Sequence, residues 1–171
     1  YQQVLRALSS EKTIVSGHPS EVLPHLAAAH RRMPDVDTLL FVDFNQRALA
    51  SNGTVFELDI REHIDRLRSG KSAITLPFLC RFTQRPVVLL LEPVIAPDGK
   101  AIGAVGATIN LRSVESFFAS IRDKGKVHTL LTDSRGRIII GLHGEANVFN
   151  QFPDEQKTPV MARLVAAMQE D

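Results

Sequence analysis

The sequence predicts an α+β fold in which helices flank a five-stranded antiparallel sheet. Three observations carry that expectation. Two long apolar runs, Arg85-Pro-Val-Val-Leu-Leu-Leu-Glu-Pro-Val-Ile95 and Ala101-Ile-Gly-Ala-Val-Gly-Ala-Thr-Ile-Asn-Leu111, lie on either side of Asp98-Gly99. Pro97 fixes φ on entry and Gly99 accepts a positive φ, so this dipeptide turns the chain back on itself as a hairpin. The element order is helix, two strands, short helix, three strands, helix, unlike the strict alternation that builds parallel βαβ units. The N-terminal fifth repeats apolar residues at helical spacing, which supplies a cover for the sheet.

In chain order, Val4, Leu5 and Leu8 share a helical face over residues 1–8. Residues 20–33 repeat the pattern with Val22, Leu23, Leu26 and Ala29. Ser20 is a plausible N-cap there, Pro34 a stop, and residues 16–19 the loop between. Residues 38–44 read as a strand, Asn45-Gln46 as a tight turn and residues 47–51 as the partner, which Asn52-Gly53 then breaks. Residues 60–68 form a short helix with Ile60, Ile64 and Leu67 inward and Gly70 at its C-terminal end. Strands follow at 72–79, 86–95 and 101–111. The strands at Leu39 and Ala101 are expected to be adjacent at the centre of the sheet. Leu40, Val42, Val88, Leu90, Ile102, Val105 and Ile109 are the expected core.

Residues 114–121 read as a helix leading out, and 123–126 as a linker. A second unit then opens with a hairpin of residues 128–132 and 137–141 around Asp133-Ser-Arg-Gly136, a weak repeat of residues 39–51. The expected division is an N-terminal helical region, 1–34, a main unit, 35–122, and a partial second unit, 127–171. The chain starts and stops inside helical patterns, which reads as a piece of a longer protein.

Composition narrows the function classes. The chain is 44% hydrophobic and 23% charged, an ordinary globular balance, and its net charge of +1 gives no broad basic field for nucleic acid or anionic lipid. Cys80 is the single cysteine, so no internal disulfide forms. No apolar run approaches the roughly 18 residues a membrane span needs. The histidines at 18, 25, 30, 63, 128 and 143 lack metal-ligand spacing, and no phosphate loop or dinucleotide fingerprint occurs, so neither metal nor cofactor is expected.

Several stretches together resemble the extracytoplasmic double-Cache (PAS-like) sensor domains of bacterial transmembrane receptors, most of all those upstream of diguanylate cyclases and histidine kinases. They are Pro34-Asp35 before 39–43, Ala50-Ser51-Asn52-Gly53, Leu67-Arg-Ser-Gly70 and Pro77-Phe-Leu-Cys-Arg-Phe-Thr-Gln-Arg-Pro86. Glu92-Pro-Val-Ile-Ala-Pro-Asp-Gly99 with Ile102-Gly103, and Leu130-Leu-Thr-Asp-Ser-Arg-Gly136, complete the set. The resemblance implies a membrane-distal PAS-like unit that binds a small molecule and a smaller membrane-proximal unit that relays its state. It implies a periplasmic location in an inner-membrane protein, anchored by helices outside this chain, and admits a homodimer. The sensor would itself be no enzyme, any signalling enzyme being a separate cytoplasmic domain of the parent. Amino-acid sensors of this fold carry an Asp on the fifth strand for the ligand ammonium. Thr108 aligns there, which favours a small carboxylate or an uncharged metabolite over an amino acid.

The expected pocket lies on the sheet face covered by residues 52–70. Phe78, Cys80 and Phe82 would form one wall, with His63 beside them. Gly106 would leave room on the floor and the Thr108 hydroxyl would face the ligand. Arg61, Arg81 or Arg85 would supply positive charge, since guanidinium matches a carboxylate bidentately. Two other classes compete. Asp43, His63 and Cys80 supply the residue types of a nucleophilic triad, which would make the chain a small hydrolase. An interaction module without a small ligand is the other.

Overall fold

The computed structural model describes residues 1–111 and, beyond them, two short strands, Leu131–Thr132 and Ile138–Ile140. The chain divides into two compact units. One comprises Tyr1–Thr75 with Val87–Asn110, the other Leu76–Pro86 with Leu111–Asp171.

The first unit opens with three helices, α1 (Gln2–Ser9), α2 (Lys12–Val15) and α3 (Pro19–His30). The sequence pattern did not reveal α2, which is a single turn. The third helix begins at Pro19, one residue before the predicted cap. His18 is the extended N-cap, and Pro19 fits the first helical position because its missing N–H would have no partner there.

The strands are β1 (Val36–Asp43), β2 (Arg47–Ala50), β3 (Val55–Glu57), β4 (Ala73–Ile74), β6 (Pro86–Ile95) and β7 (Ala101–Asn110), with β5 (Phe78–Leu79) in the second unit. They run in the order β3-β2-β1-β7-β6-β4, each antiparallel to its neighbour. As expected, β1 and β7 are adjacent at the centre, with Leu40 opposite Gly106. The path holds six strands, one more than predicted. Val55–Glu57 is too short to show a period, yet it returns alongside β2 after a turn at Gly53. The single strand predicted over 72–79 is two, because Pro77 has no N–H to continue a ladder. At the β6–β7 hairpin, Gly99 has φ of 83° and its N–H donates to the Ala96 carbonyl at 2.9 Å. The predicted helix over 60–68 is a 3-10 turn (Arg61–His63) running into α4 (Ile64–Arg68), closed where the Gly70 N–H donates to the Leu67 carbonyl.

Successive strand residues face opposite sides, so the sheet has two buried faces. Leu39, Phe41, Leu49, Val105 and Ala107 meet Leu5, Leu8, Ile14, Val22 and Leu26 of the helices. Leu40, Val42, Ala48, Ala50, Leu89, Leu91 and Ala104 are buried on the other face. There α4 packs over β7, and Ile60 and Leu67 are fully buried. Of the expected core, Leu40, Val42 and Val105 are buried, whereas Val88, Leu90, Ile102 and Ile109 are half-buried. Between Val87 and Leu91 the fully buried positions of β6 are Val87, Leu89 and Leu91, the opposite phase to the predicted Val88 and Leu90, and Val94 is fully buried further along.

A histidine fastens the helices to the sheet. The His30 Nε2–H donates to the Val36 carbonyl at 2.8 Å, and the Ser51 hydroxyl donates to His30 Nδ1 at 2.8 Å. One side chain thereby joins the end of α3 to the start of β1 and the end of β2.

In the second unit, β8 (Leu131–Thr132) and β9 (Ile138–Ile140) pair antiparallel, at the place of the predicted hairpin. The helix expected at 114–121 and the helical pattern at the end of the chain lie outside the described residues.

Candidate functional site

The residues singled out from the sequence divide between the two units. Arg61, His63, Gly106 and Thr108 belong to the first; Phe78, Cys80, Arg81, Phe82 and Arg85 belong to the second.

Arg61 stands in the 3-10 turn with its guanidinium closed on its own neighbour. Its Nε is 3.0 Å from Asp59 Oδ1 and its Nη2 is 2.6 Å from Oδ2. Those hydrogen bonds, and the Arg61 backbone N–H on the same carboxylate, hold the Asp59 pKa down from the ordinary 3.8 to about 2. The same contact raises the Arg61 pKa. A ligand recruiting Arg61 must therefore compete with Asp59.

On β7 the expected floor is closed. A Cβ placed on Gly106 would meet Leu40 Cδ1 at 2.9 Å, Leu89 Cδ1 at 3.0 Å and Leu91 Cδ2 at 3.1 Å, so leucine side chains fill the room foreseen there. Thr108 is 4% exposed and its hydroxyl donates to the Thr38 carbonyl at 3.2 Å, a buried link between β1 and β7.

In the second unit, residues 80–85 form a tight loop. The Cys80 N–H donates to the Arg85 carbonyl at 2.8 Å, and the Gln84 N–H donates to the Cys80 carbonyl at 2.7 Å with Gln84 at φ 53°. Arg81 and Phe82 are exposed on this loop, Phe78 and Arg85 are half-buried, and Cys80 is 2% exposed. The hydrolase reading needs an accessible thiol and an Asp aimed at His63. Cys80 is buried, and Asp43 Oδ1 instead accepts the N–H groups of Asn45 and Arg47, each at 2.9 Å, to hold the β1–β2 turn. Among the described residues no three His, Cys, Asp or Glu side chains gather where a metal could bind.

Two features escaped the sequence reading. Glu92, inside the apolar run of β6, is buried; its Oε1 accepts from Arg6 Nε of α1 at 3.1 Å, while its Oε2 has no hydrogen-bond partner among the described residues. A charge interrupting an apolar run was the available signal. The second is a half-open pocket of about 440 Å³ lined by Gln2, His63, Arg66, Ser72, Ala73 and Ile74. It joins α1, the turn before α4, and the β4 edge, places far apart in sequence, so no local pattern announced it.

No family model and no curated protein matches the sequence. Solved structures do match the fold. The ligand-binding domain of the Campylobacter jejuni chemoreceptor Tlp3, in complex with 4-methylisoleucine, superposes with a TM-score of 0.64 at 19% identity, over 95% of this chain and 68% of that one. The extracellular domain of mmHK1S-Z2, described as a histidine kinase, gives 0.70 at 13% identity over 99% and 74%. The ligand-binding domain of the Pseudomonas aeruginosa amino-acid chemoreceptor PctC, in complex with GABA, gives 0.66 at 13% identity over 88% and 69%. Among the described residues no helix is long and apolar enough to cross a membrane. An antiparallel sheet with three helices on one face and the 3-10 turn and α4 over the other, matched across most of the chain by these structures, makes this the α+β, PAS-like fold of Cache-type sensor domains.

Proposed function

We propose that the chain is the small-molecule-sensing input region of a transmembrane signalling receptor of the histidine kinase or diguanylate cyclase type, lying outside the cytoplasm. The observation that carries this reading is the two-faced sheet, one face under α1–α3 and the other under the 3-10 turn and α4, in the fold of receptor ligand-binding domains. Loops over a rigid sheet are where binding residues concentrate. In this reading residues 35–122 are the ligand-binding unit, 1–34 its helical lead-in and 127–171 part of a relay unit. The domain catalyses nothing itself.

On the first unit the candidate contacts are Arg61 and His63, with Gly106 and Thr108 on β7; on the second they are Arg81 and Arg85, with Phe78, Cys80 and Phe82 as apolar neighbours in sequence. Ligand entry displaces the leucines over Gly106, so binding draws on a second arrangement of this face that the ligand prefers. The Tlp3 and PctC domains are described in complex with 4-methylisoleucine and GABA. Thr108 offers an ammonium no carboxylate, which supports a small carboxylate or an uncharged metabolite here. Calorimetry with amino acids and short carboxylates tests the reading. Arg81→Ala is expected to abolish carboxylate binding while the ligand-free melting temperature stays put. Unchanged affinity in Arg61, Arg81 and Arg85 variants alike overturns the site. Tight binding of an amino acid overturns the ligand class.

A further inference from the structure

We propose that the pocket at the β4 edge is a second binding site, sharing only His63 with the sheet-face site above, for a small organic carboxylate bridging α1 and α4. Its lining contains one permanent cation, Arg66, a half-buried His63, two uncharged polar residues, Gln2 and Ser72, and no carboxylate. The Arg66 guanidinium is already oriented, because its Nε donates to the Ser72 carbonyl at 2.6 Å. Its two Nη groups have no partner among the described residues. They form the donor pair that a carboxylate accepts bidentately. Ser72 Oγ accepts from Gln2 Nε2 at 3.0 Å, which leaves the hydroxyl hydrogen to donate into the pocket.

The apolar part of the lining selects among anions. Ile74 is 63% exposed at the end of the sheet path, and Ala73 lies beside it. A short hydrocarbon tail laid against Ile74 removes apolar surface from water, which inorganic phosphate cannot do. The volume lies within the range of ordinary ligand sites.

The site also has a consequence. Gln2 is on α1, while Arg66 and Ser72 flank the end of α4. A ligand held by both sides adds to the Gln2–Ser72 and Arg6–Glu92 links between α1 and the sheet unit. It therefore favours the docked position of α1, provided it prefers that arrangement to the undocked one.

Titration of the full chain with butyrate, acetate and inorganic phosphate, followed by calorimetry and by amide hydrogen exchange of α1, tests this. Butyrate is expected to bind most tightly and to slow exchange over Gln2–Ser9. Arg66→Gln is expected to weaken butyrate about tenfold or more, the loss of charge-assisted hydrogen bonds. Ile74→Glu is expected to do the same by repulsion. Arg81→Ala, which belongs to the sheet-face reading, is expected to leave this binding intact. Phosphate binding as tightly as butyrate overturns the carboxylate class. Wild-type affinity in both Arg66→Gln and Ile74→Glu, or no butyrate binding at tens of millimolar, overturns the site. Loss in Arg81→Ala alone assigns butyrate to the sheet-face site and overturns this one.

Discussion

Arg6 reaches across from α1 to place its Nε 3.1 Å from Oε1 of Glu92, a carboxylate that is 6% exposed at the side chain while its partner is 68% exposed. The pair is lopsided. The arginine is mostly in water, so its charge is screened, but the glutamate has little besides that contact to offset its burial. Truncating the exposed partner should therefore harm more than a surface ion pair would. Arg6→Ala is expected to cost on the order of 1–3 kcal/mol, because it leaves a buried acceptor unsatisfied. In a Glu92→Met background the same change should cost almost nothing, and Glu92→Met itself should be neutral or stabilising. Urea melts of the four proteins form the cycle. Equal costs of Arg6→Ala in both backgrounds would show that the contact is idle.

The course of the backbone was legible where the residue types constrain it locally. Asp98-Gly99 announces the β6–β7 reversal and Gly70 the end of α4, because each needs a positive φ that few other residues accept. The phase of β6 was not legible. Val87, Val88, Leu89, Leu90 and Leu91 are all apolar, so alternation has nothing to contrast, and the strand is covered on both faces. The site was less legible still. Thr108 and Gly106 have residue types that suit a pocket floor, but which neighbour satisfies a hydroxyl or fills a gap is a long-range fact, decided here by Thr38, Leu40, Leu89 and Leu91.

That phase makes a measurable difference on β6. Leu91 is fully buried between β4 and β7, whereas Leu90 is half-buried at the margin of the helix-side core. Leu91→Ala should cost on the order of 2–5 kcal/mol in denaturant melts, the range for large-to-small changes in a packed core. Leu90→Ala should cost clearly less. The reverse ranking would mean that the faces of β6 are assigned the wrong way round.

Gly103 and Gly106 both lie on β7, and replacing each with Ala separates two kinds of crowding. At Gly103 the added methyl would run into the carbonyl oxygen of Val42, a backbone atom of the paired strand. At Gly106 the three nearest atoms it would meet are the ends of leucine side chains, at 2.9–3.1 Å. Side chains can change rotamer, but a central strand cannot move without its ladder. Gly106→Ala should then cost about 1–3 kcal/mol, as overpacking usually does, and Gly103→Ala more than that. Melting temperatures of the two variants give the order directly, and a milder Gly103→Ala would contradict the close approach of β1 and β7.

Asp59 and Arg61 provide the pH test. Both are exposed, so their pairing is expected to shape the local turn more than global stability. The Arg61 side chain and backbone together hold the Asp59 pKa at about 2, below the ordinary 3.8. A lowered folded-state pKa means the pair contributes fully above the unfolded value and is lost as pH falls through the folded one. The loss should therefore run from near pH 4 down to about pH 2, with no change across neutral pH. Carbon-detected NMR of the Asp59 carboxyl should show a midpoint near 2 in the wild type and a return toward 3.8 in Arg61→Gln. The same titration bears on recognition at the sheet face. A carboxylate ligand that takes Arg61 from Asp59 should raise the Asp59 midpoint, whereas one held by Arg81 or Arg85 alone should leave it unmoved. A wild-type midpoint already at the ordinary value would show that Arg61 is not closed on Asp59 in solution and stands available to a ligand without competition.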